Sequence, residues 1–417
     1  MSTVSAVVQP EPVSAKEAPR LRLEFLDGLR GLAALYVVFH HVSLFSPSSP
    51  NPSALLHVFI KLYTHVFAFG HQAVVVFIVL SGYVLMLPVA RTQDGHMPKG
   101  VWDYFKRRAR RILPPYYAAL ILSFVLIALV PWLQHPPFPS DWDTAFPLFS
   151  KMGILTHLLM LHNLTSHGYN IDPPMWSVAL EWQIYFLFPF VFLPLWRRLG
   201  ILAPMGLSIA FSYGLLQSRL PIYSWTAPWL VVCFVFGMSA ALINFRQEPF
   251  YQNLCQRMPW YAFAAVCLLG ALFVRLQART HLFGSSYEPS DALHNTHNLL
   301  TGMAAASFIT GMVRSLQQNR RNLFLRILDS RPLVGLGSFS YSLYLVHYPL
   351  VAALFFALSS HPGSRALGWL SLLIFGVPMI VGVAYLFHLV FERPFMPTHL
   401  RKGQAKSLEQ SLTESRS

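Results

Sequence analysis

The stretch Leu29-Arg-Gly-Leu-Ala-Ala-Leu-Tyr-Val-Val-Phe-His-His-Val-Ser-Leu-Phe45 is apolar on the scale of a membrane span, yet it carries Arg30 and His41. Eleven steps of about 100° turn a helix through three circles plus about 20°, so both side chains fall on one face. A rise of about 1.5 Å per residue sets them about 16 Å apart along the axis, half of a bilayer's hydrocarbon core. A cation and an imidazole on one stripe are costly in lipid unless the stripe faces a polar interior. The segment therefore predicts a membrane helix with one wall of a polar site on it.

The rest of the chain repeats the apolar signal. It is 54% hydrophobic and 12% charged, where soluble domains carry about 25% charge. Ten spans are expected, at about 28–46, 73–90, 112–133, 175–196, 201–217, 227–245, 259–275, 297–314, 333–357 and 367–391. The fold class is all-α, a polytopic transmembrane helix bundle. The net charge of +14 would point a soluble protein toward nucleic acid. Here the basic residues mark loops instead, and the expected partner is the bilayer, with no nucleic acid. Arg91, Lys99, Lys106, Arg107, Arg108, Arg110 and Arg111 share one loop; Arg314, Arg320, Arg321, Arg326 and Arg331 share another. Placing both termini in the cytoplasm satisfies the positive-inside rule, leaving Lys61, Lys151, Arg219, Arg275, Arg279 and Arg365 on the other side.

Residues 1–23 and 398–417 read as disordered cytoplasmic tails around a single membrane domain, 24–397, with no cleavable signal peptide. Cys233, Cys255 and Cys267 lack metal-ligand spacing and read as packing, so no metal is expected. Two outer segments are long for linkers. Segment 47–72 holds His57, His65 and His71, and segment 134–174 is rich in Pro, Trp, His and Asn; loops of that length line or cover sites.

Four constellations carry chemistry. A largely neutral His41 suits a proton acceptor, and packing between helices is the other reading, shared by His40. Asp27 stands at ion-pair spacing from Arg30. The run Phe105-Lys-Arg-Arg-Ala-Arg-Arg-Ile-Leu-Pro-Pro115 sets cations just before a span that opens with two prolines. A helix N-terminus there would add its dipole to guanidinium pairs that grip phosphate, the alternative being a topology anchor on lipid headgroups. In Met175-Trp-Ser-Val-Ala-Leu-Glu-Trp-Gln-Ile-Tyr185, Ser177, Glu181 and Tyr185 stack on one face, with Glu181 as a functional carboxylate or a mate for Arg30. In Gly337-Ser-Phe-Ser-Tyr-Ser-Leu-Tyr-Leu-Val-His-Tyr-Pro349, Ser340, Tyr344 and His347 form a polar stripe. Ser340 lies about 10 Å from His347 along the helix, too far for a nucleophile–base pair. Phe77-Ile-Val-Leu-Ser-Gly-Tyr83 adds a close-packing small pair.

Taken in order, these pieces resemble the membrane acyltransferase-3 family, which includes bacterial O-antigen and exopolysaccharide acetylases. The resemblance covers residues 24–397. Arg30 with His41 is similar to the family's Arg–ten residues–His motif, and Phe77 to Gly82 to its Phe-Phe-x-Leu-Ser-Gly, with Ile78 at the second Phe. Arg108 and Arg111 resemble its Arg-x-x-Arg, and Trp176-Ser177 with Glu181 and Tyr185 its Trp-Ser…Glu pattern, with Ile184 where an aromatic is frequent. Ser340 to Pro349 is similar to its Ser-Tyr-x-x-Tyr-Leu-x-His-x-Pro, and Glu392-Arg-Pro394 to its Glu-x-Pro.

The resemblance implies an O-acyltransferase of a bacterial inner membrane, moving an acyl group, commonly acetyl, from cytoplasmic acyl-CoA to a glycan or lipid-linked sugar. His41, Arg30 and Glu181 are then the expected catalytic residues, and Arg108, Arg111 and Arg110 the donor-phosphate site. Trp176, Ser177, Tyr185, Ser340, Tyr344 and His347 would line the substrate path, with Trp142 and Tyr169 as further stacking faces. His41 would act as general base or carry the acyl group itself, with Glu181 orienting it or meeting the acceptor. A transporter or flippase of a glycolipid or small solute is the alternative class, and a diffusible acceptor the alternative substrate.

Overall fold

The computed structural model describes residues 21–47, 54–138, 140, 142, 150–218, 227–280, 291–359 and 365–396. Of the expected tails, all but 21–23 lie outside these residues. Among the described residues the chain is helical, with no strand. Buried in lipid, a helix satisfies its own backbone polar groups, which is why apolar runs fold this way. In chain order the principal helices are α1 (Phe25–Leu44), α2 (Ala54–Val66), α3 (Gly70–Ala90), α4 (Gly100–Leu129), α5 (Lys151–Leu158), α6 (Met175–Leu199) and α7 (Leu202–Gln217). They continue as α8 (Trp229–Phe245), α9 (Pro249–Arg257), α10 (Trp260–Thr280), α11 (Asp291–Gln317), α12 (Leu323–Leu328), α13 (Arg331–Ser338), α14 (Ser340–Leu358) and α15 (Arg365–Phe395).

Among the described residues, seven helical stretches are long and apolar enough to cross a membrane, or eight if α8 and α9, bent at 95°, form one span. Ten spans were expected. Helices α7 and α8 have 16 and 17 residues, short of the about 20 that a bilayer core takes. In α1 the polar residues Asp27, Arg30, His40 and His41 dilute the apolar run.

Helix α3, apolar over most of its length, packs against α8, α1 and α11. The contact with α8 is backbone on backbone. A Cβ on Gly82 would stand 2.0 Å from the Phe234 carbonyl oxygen, and one on Gly237 2.0 Å from that of Val79. Small residues let membrane helices approach this closely. Helix α1 is clamped the same way: Gly28 lies against the Leu328 carbonyl, Gly31 against that of Leu333, and Gly337 against that of Asp27. Because α14 starts two residues after α13 ends, this clamp also sets α14 beside α1.

Glu392 anchors α14 from the other side. It ends a π-turn, His388–Glu392, and its Oε2 accepts from Ser342 at 2.6 Å and pairs with His388 Nδ1 at 2.8 Å, all three residues buried. The two segments expected on the outer side are not plain loops. Residues 54–66 form helix α2, with Tyr63 inward against Trp369 and Leu55, Val58 and Leu62 exposed. Segment 134–174 contains α5 and a 3₁₀ turn, His162–Leu164.

Candidate active site

Helices α1, α3, α4, α6 and α14 enclose one cavity of about 810 Å³, its open mouth included. Arg30 reaches it from α1 and Ser81 from α3; Arg108 and Arg111 come from α4, Ser177, Glu181 and Tyr185 from α6, and Ser340, Tyr341 and Tyr344 from α14. Motifs that are far apart in the chain thus share one wall. The expected partner of Arg30 is present, since Nη1 lies 3.3 Å from Asp27 Oδ1.

The cationic run is placed differently from expectation. Helix α4 begins at Gly100, and Pro114 and Pro115 lie inside it. The backbone N–H groups near Arg108 and Arg111 are therefore spent within the helix, and no N-terminal dipole acts there. An anion there would meet guanidinium groups alone. Arg108 and Arg111, three apart, share a face; Arg110 points elsewhere, is exposed and does not line the cavity. Arg108 also sits over the Tyr185 ring, 5.7 Å from its centroid. Three guanidinium groups face the one lining carboxylate, Glu181, so the cavity favours anions.

Glu181 Oε1 accepts from Tyr185 at 2.5 Å and from Ser81. These contacts tie α3 to α6 but do not reach His41, so the expected orienting role of Glu181 on His41 has no contact behind it. Ser177 and Tyr344 join hydroxyls at 2.7 Å, and Tyr344 donates to the Pro174 carbonyl at 3.1 Å.

His41 stands in the next layer, outside the cavity lining, held by α14. His347 Nε2 lies 3.0 Å from His41 Nδ1, and that nitrogen is also 2.9 Å from the Val37 carbonyl oxygen. His347, expected on the substrate path, is buried, with Nδ1 at 2.7 Å from the Tyr344 and 3.2 Å from the Leu343 carbonyl oxygens. Its ring stands 5.8 Å from that of Tyr344, which does line the cavity. Tyr348 covers the His41 ring edge-on at 4.8 Å.

Two expected stacking faces are taken by the protein itself. Trp142 is fully buried, stacks on Tyr348 at 5.6 Å and donates its indole N–H to the Leu133 carbonyl. Trp176 does not line the cavity; it stacks on His71 at 5.6 Å. Tyr169 stays exposed.

Sequence reasoning missed Ser81 and Tyr341, both in the lining. A hydroxyl one residue before a packing glycine, and a tyrosine beside Ser340, were the available signals. It also missed Asp172, a buried carboxyl just before α6 that accepts from Ser123 at 3.0 Å. Burial pushes this carboxyl well above the ordinary carboxylate range. Nearby, His157 and His162 are buried and stacked with centroids 4.0 Å apart. Burial, and then the neighbouring His157, pushes His162 down to about 3. Among the described residues no three His, Cys, Asp or Glu side chains gather so as to hold a metal ion.

Comparison with known proteins bears on this geometry. Residues 23–389 match a family model described as an acyltransferase domain. The chain is 27% identical to the acyltransferase MdmB of Streptomyces mycarofaciens, over 91% of this chain and 93% of that one. It is 22% identical to the peptidoglycan O-acetyltransferase OatA of Listeria monocytogenes, over 78% of this chain and 49% of that protein. The O-acetyltransferase OatA of Staphylococcus aureus is also 22% identical, over 78% of this chain and 50% of its own length. The chain thus aligns with about half the length of the OatA proteins. No solved structure matches.

Proposed function

The chain belongs to the membrane acyltransferase-3 family, and from that premise we propose that it moves an acyl group, acetyl foremost, from cytoplasmic acyl-CoA to a hydroxyl of a glycan or lipid-linked sugar. The cavity carries the reading, with Arg30, Arg108 and Arg111 in its lining and Tyr344, bonded there to Ser177, packed against the His347 that meets His41. The donor's phosphates would meet Arg108 and Arg111, because guanidinium groups bind phosphate oxygens in pairs. Its thin pantetheine arm would pass Arg30 and bring the thioester toward His41, about 16 Å up the helix axis. Arg30 stays charged and suits anion anchoring better than proton transfer.

In the transfer step, His41 takes the proton of the acceptor hydroxyl while its oxygen attacks the thioester carbonyl. The new C–O bond forms, the C–S bond breaks, and the leaving thiolate takes the proton back from His41. Relatives named for O-acetylation, one of them of peptidoglycan, support a sugar hydroxyl as acceptor.

The test is release of free CoA by purified protein in nanodiscs, given acetyl-CoA and a panel of glycan and lipid-linked sugar acceptors. Acceptor-dependent release with acetyl recovered on the sugar is expected. If labelled acceptor instead crosses the bilayer with acetyl-CoA intact, the transport reading replaces this one.

A further inference from the structure

We infer that His347 is a positioning residue that fixes His41 in the tautomer with its proton on Nδ1, which leaves Nε2 as the basic nitrogen. The inference rests on the proposed role of His41 as base and adds the atom that does the work.

The assignment follows from which atoms can donate. Val37 O, 2.9 Å from His41 Nδ1, is a carbonyl oxygen and only accepts, so Nδ1 carries the hydrogen. The Tyr344 and Leu343 carbonyl oxygens around His347 Nδ1 impose the same choice on the second ring. Neutral His347 then presents a lone pair at Nε2, and that atom faces His41 Nδ1 at 3.0 Å. Of the two donor–acceptor arrangements that make the histidine–histidine contact attractive, both sets of carbonyls select the same one. Among the described residues no group hydrogen-bonds His41 Nε2.

The chemical consequence concerns charge. When His41 Nε2 takes a proton, the Nδ1–H bond to His347 and Val37 becomes charge-assisted and strengthens. A carboxylate in that position would do the same, at the cost of a permanent buried anion in the membrane. A neutral imidazole supplies the lone pair without one. His347 is 306 positions from His41 in the chain.

The test reads the tautomer directly. Protein labelled with ¹⁵N-histidine, in nanodiscs and without substrate, should give His41 a pyrrole-type Nδ1 and a pyridine-type Nε2, with His41→Ala supplying the assignment. His347→Leu should spread His41 over both tautomers and lower kcat by about 10- to 100-fold, with the acetyl-CoA KM within about twofold. His347→Gln, whose Oε1 can accept from Nδ1–H, should recover most of the lost kcat. A resting His41 with its proton on Nε2, or equal losses in the Gln and Leu variants, overturns the inference. The spectrum of the unaltered protein decides it even where a variant fails to fold or no acceptor is turned over.

Discussion

Tyr344 and Ser177, 167 positions apart, hold their hydroxyls at 2.7 Å where α14 meets α6. Both hydroxyls also reach the Pro174 carbonyl oxygen, Tyr344 at 3.1 Å and Ser177 at 3.3 Å, so the three groups form one closed cluster. Tyr344→Phe removes both of its bonds but leaves Ser177 paired with the Pro174 carbonyl, so the cost is about 1 kcal/mol. A lower thermal midpoint in detergent is expected. An unchanged midpoint would remove the pair from the forces that hold α6 to α14.

Arg108 and Arg111 line the cavity and Arg110 does not, although all three belong to one cationic run. Arg108→Ala and Arg111→Ala should each weaken labelled acetyl-CoA binding by about 10- to 100-fold, the range of a lost charge-assisted bond. Arg110→Ala should leave it within about twofold. Unchanged binding in the Arg108 and Arg111 variants would return the run to the role of a lipid-facing anchor.

His41→Ala, in protein that still inserts, should lose about 10²- to 10⁴-fold in acyl transfer, the range of a missing general base. Donor binding at the arginines should survive. Arg30→Ala should instead act on donor affinity as well as turnover. Retained turnover in His41→Ala would sink the base role.

Gly82 and Gly206 make a matched pair. A Cβ at Gly82 meets the Phe234 carbonyl, while one at Gly206 meets nothing within 4 Å. Gly82→Ala should lower the yield of monodisperse protein and its thermal midpoint; Gly206→Ala should match or slightly exceed the parent, given alanine's better helix propensity. Equal behaviour would show that α3 and α8 are not in backbone contact.

Asp172 and His162 act at opposite ends of the pH range. The Asp172 carboxyl is raised in the fold, so its contribution is full below its unfolded value of about 4 and is lost as pH rises through the folded value. His162 is lowered to about 3, so its contribution is present above about 6.5 and is lost as pH falls from there toward 3. Asp172→Asn should flatten the decline of the thermal midpoint on the alkaline side, and His162→Gln the decline on the acid side. Parallel curves for parent and variants would contradict both assignments.

Helical spacing made much of the site readable from the residues. Ser177, Glu181 and Tyr185 do face one cavity, Arg108 and Arg111 do share a side of α4, and Asp27 does pair with Arg30. Each of these relations lies within one helix, where a rotation of about 100° per residue fixes direction. The family was legible for the same reason, since its motifs are local spacings in a fixed order. The start of α4 was less legible: the two prolines looked like the first turn, and the helix runs through them because proline is tolerated where neighbouring helices support the freed backbone groups.

The sequence by itself determined that this chain is a bundle of membrane helices with a polar stripe on α1, because apolar length and period are properties of a single segment. Only the tertiary structure decided that His347 meets His41, that Ser81 meets Glu181, and that Trp142 turns inward. Those contacts depend on how helices cross and how deeply they interlock. Backbone contacts at Gly28, Gly31, Gly82, Gly237 and Gly337 set that approach, and a residue without a side chain carries no directional pattern to be read along the chain.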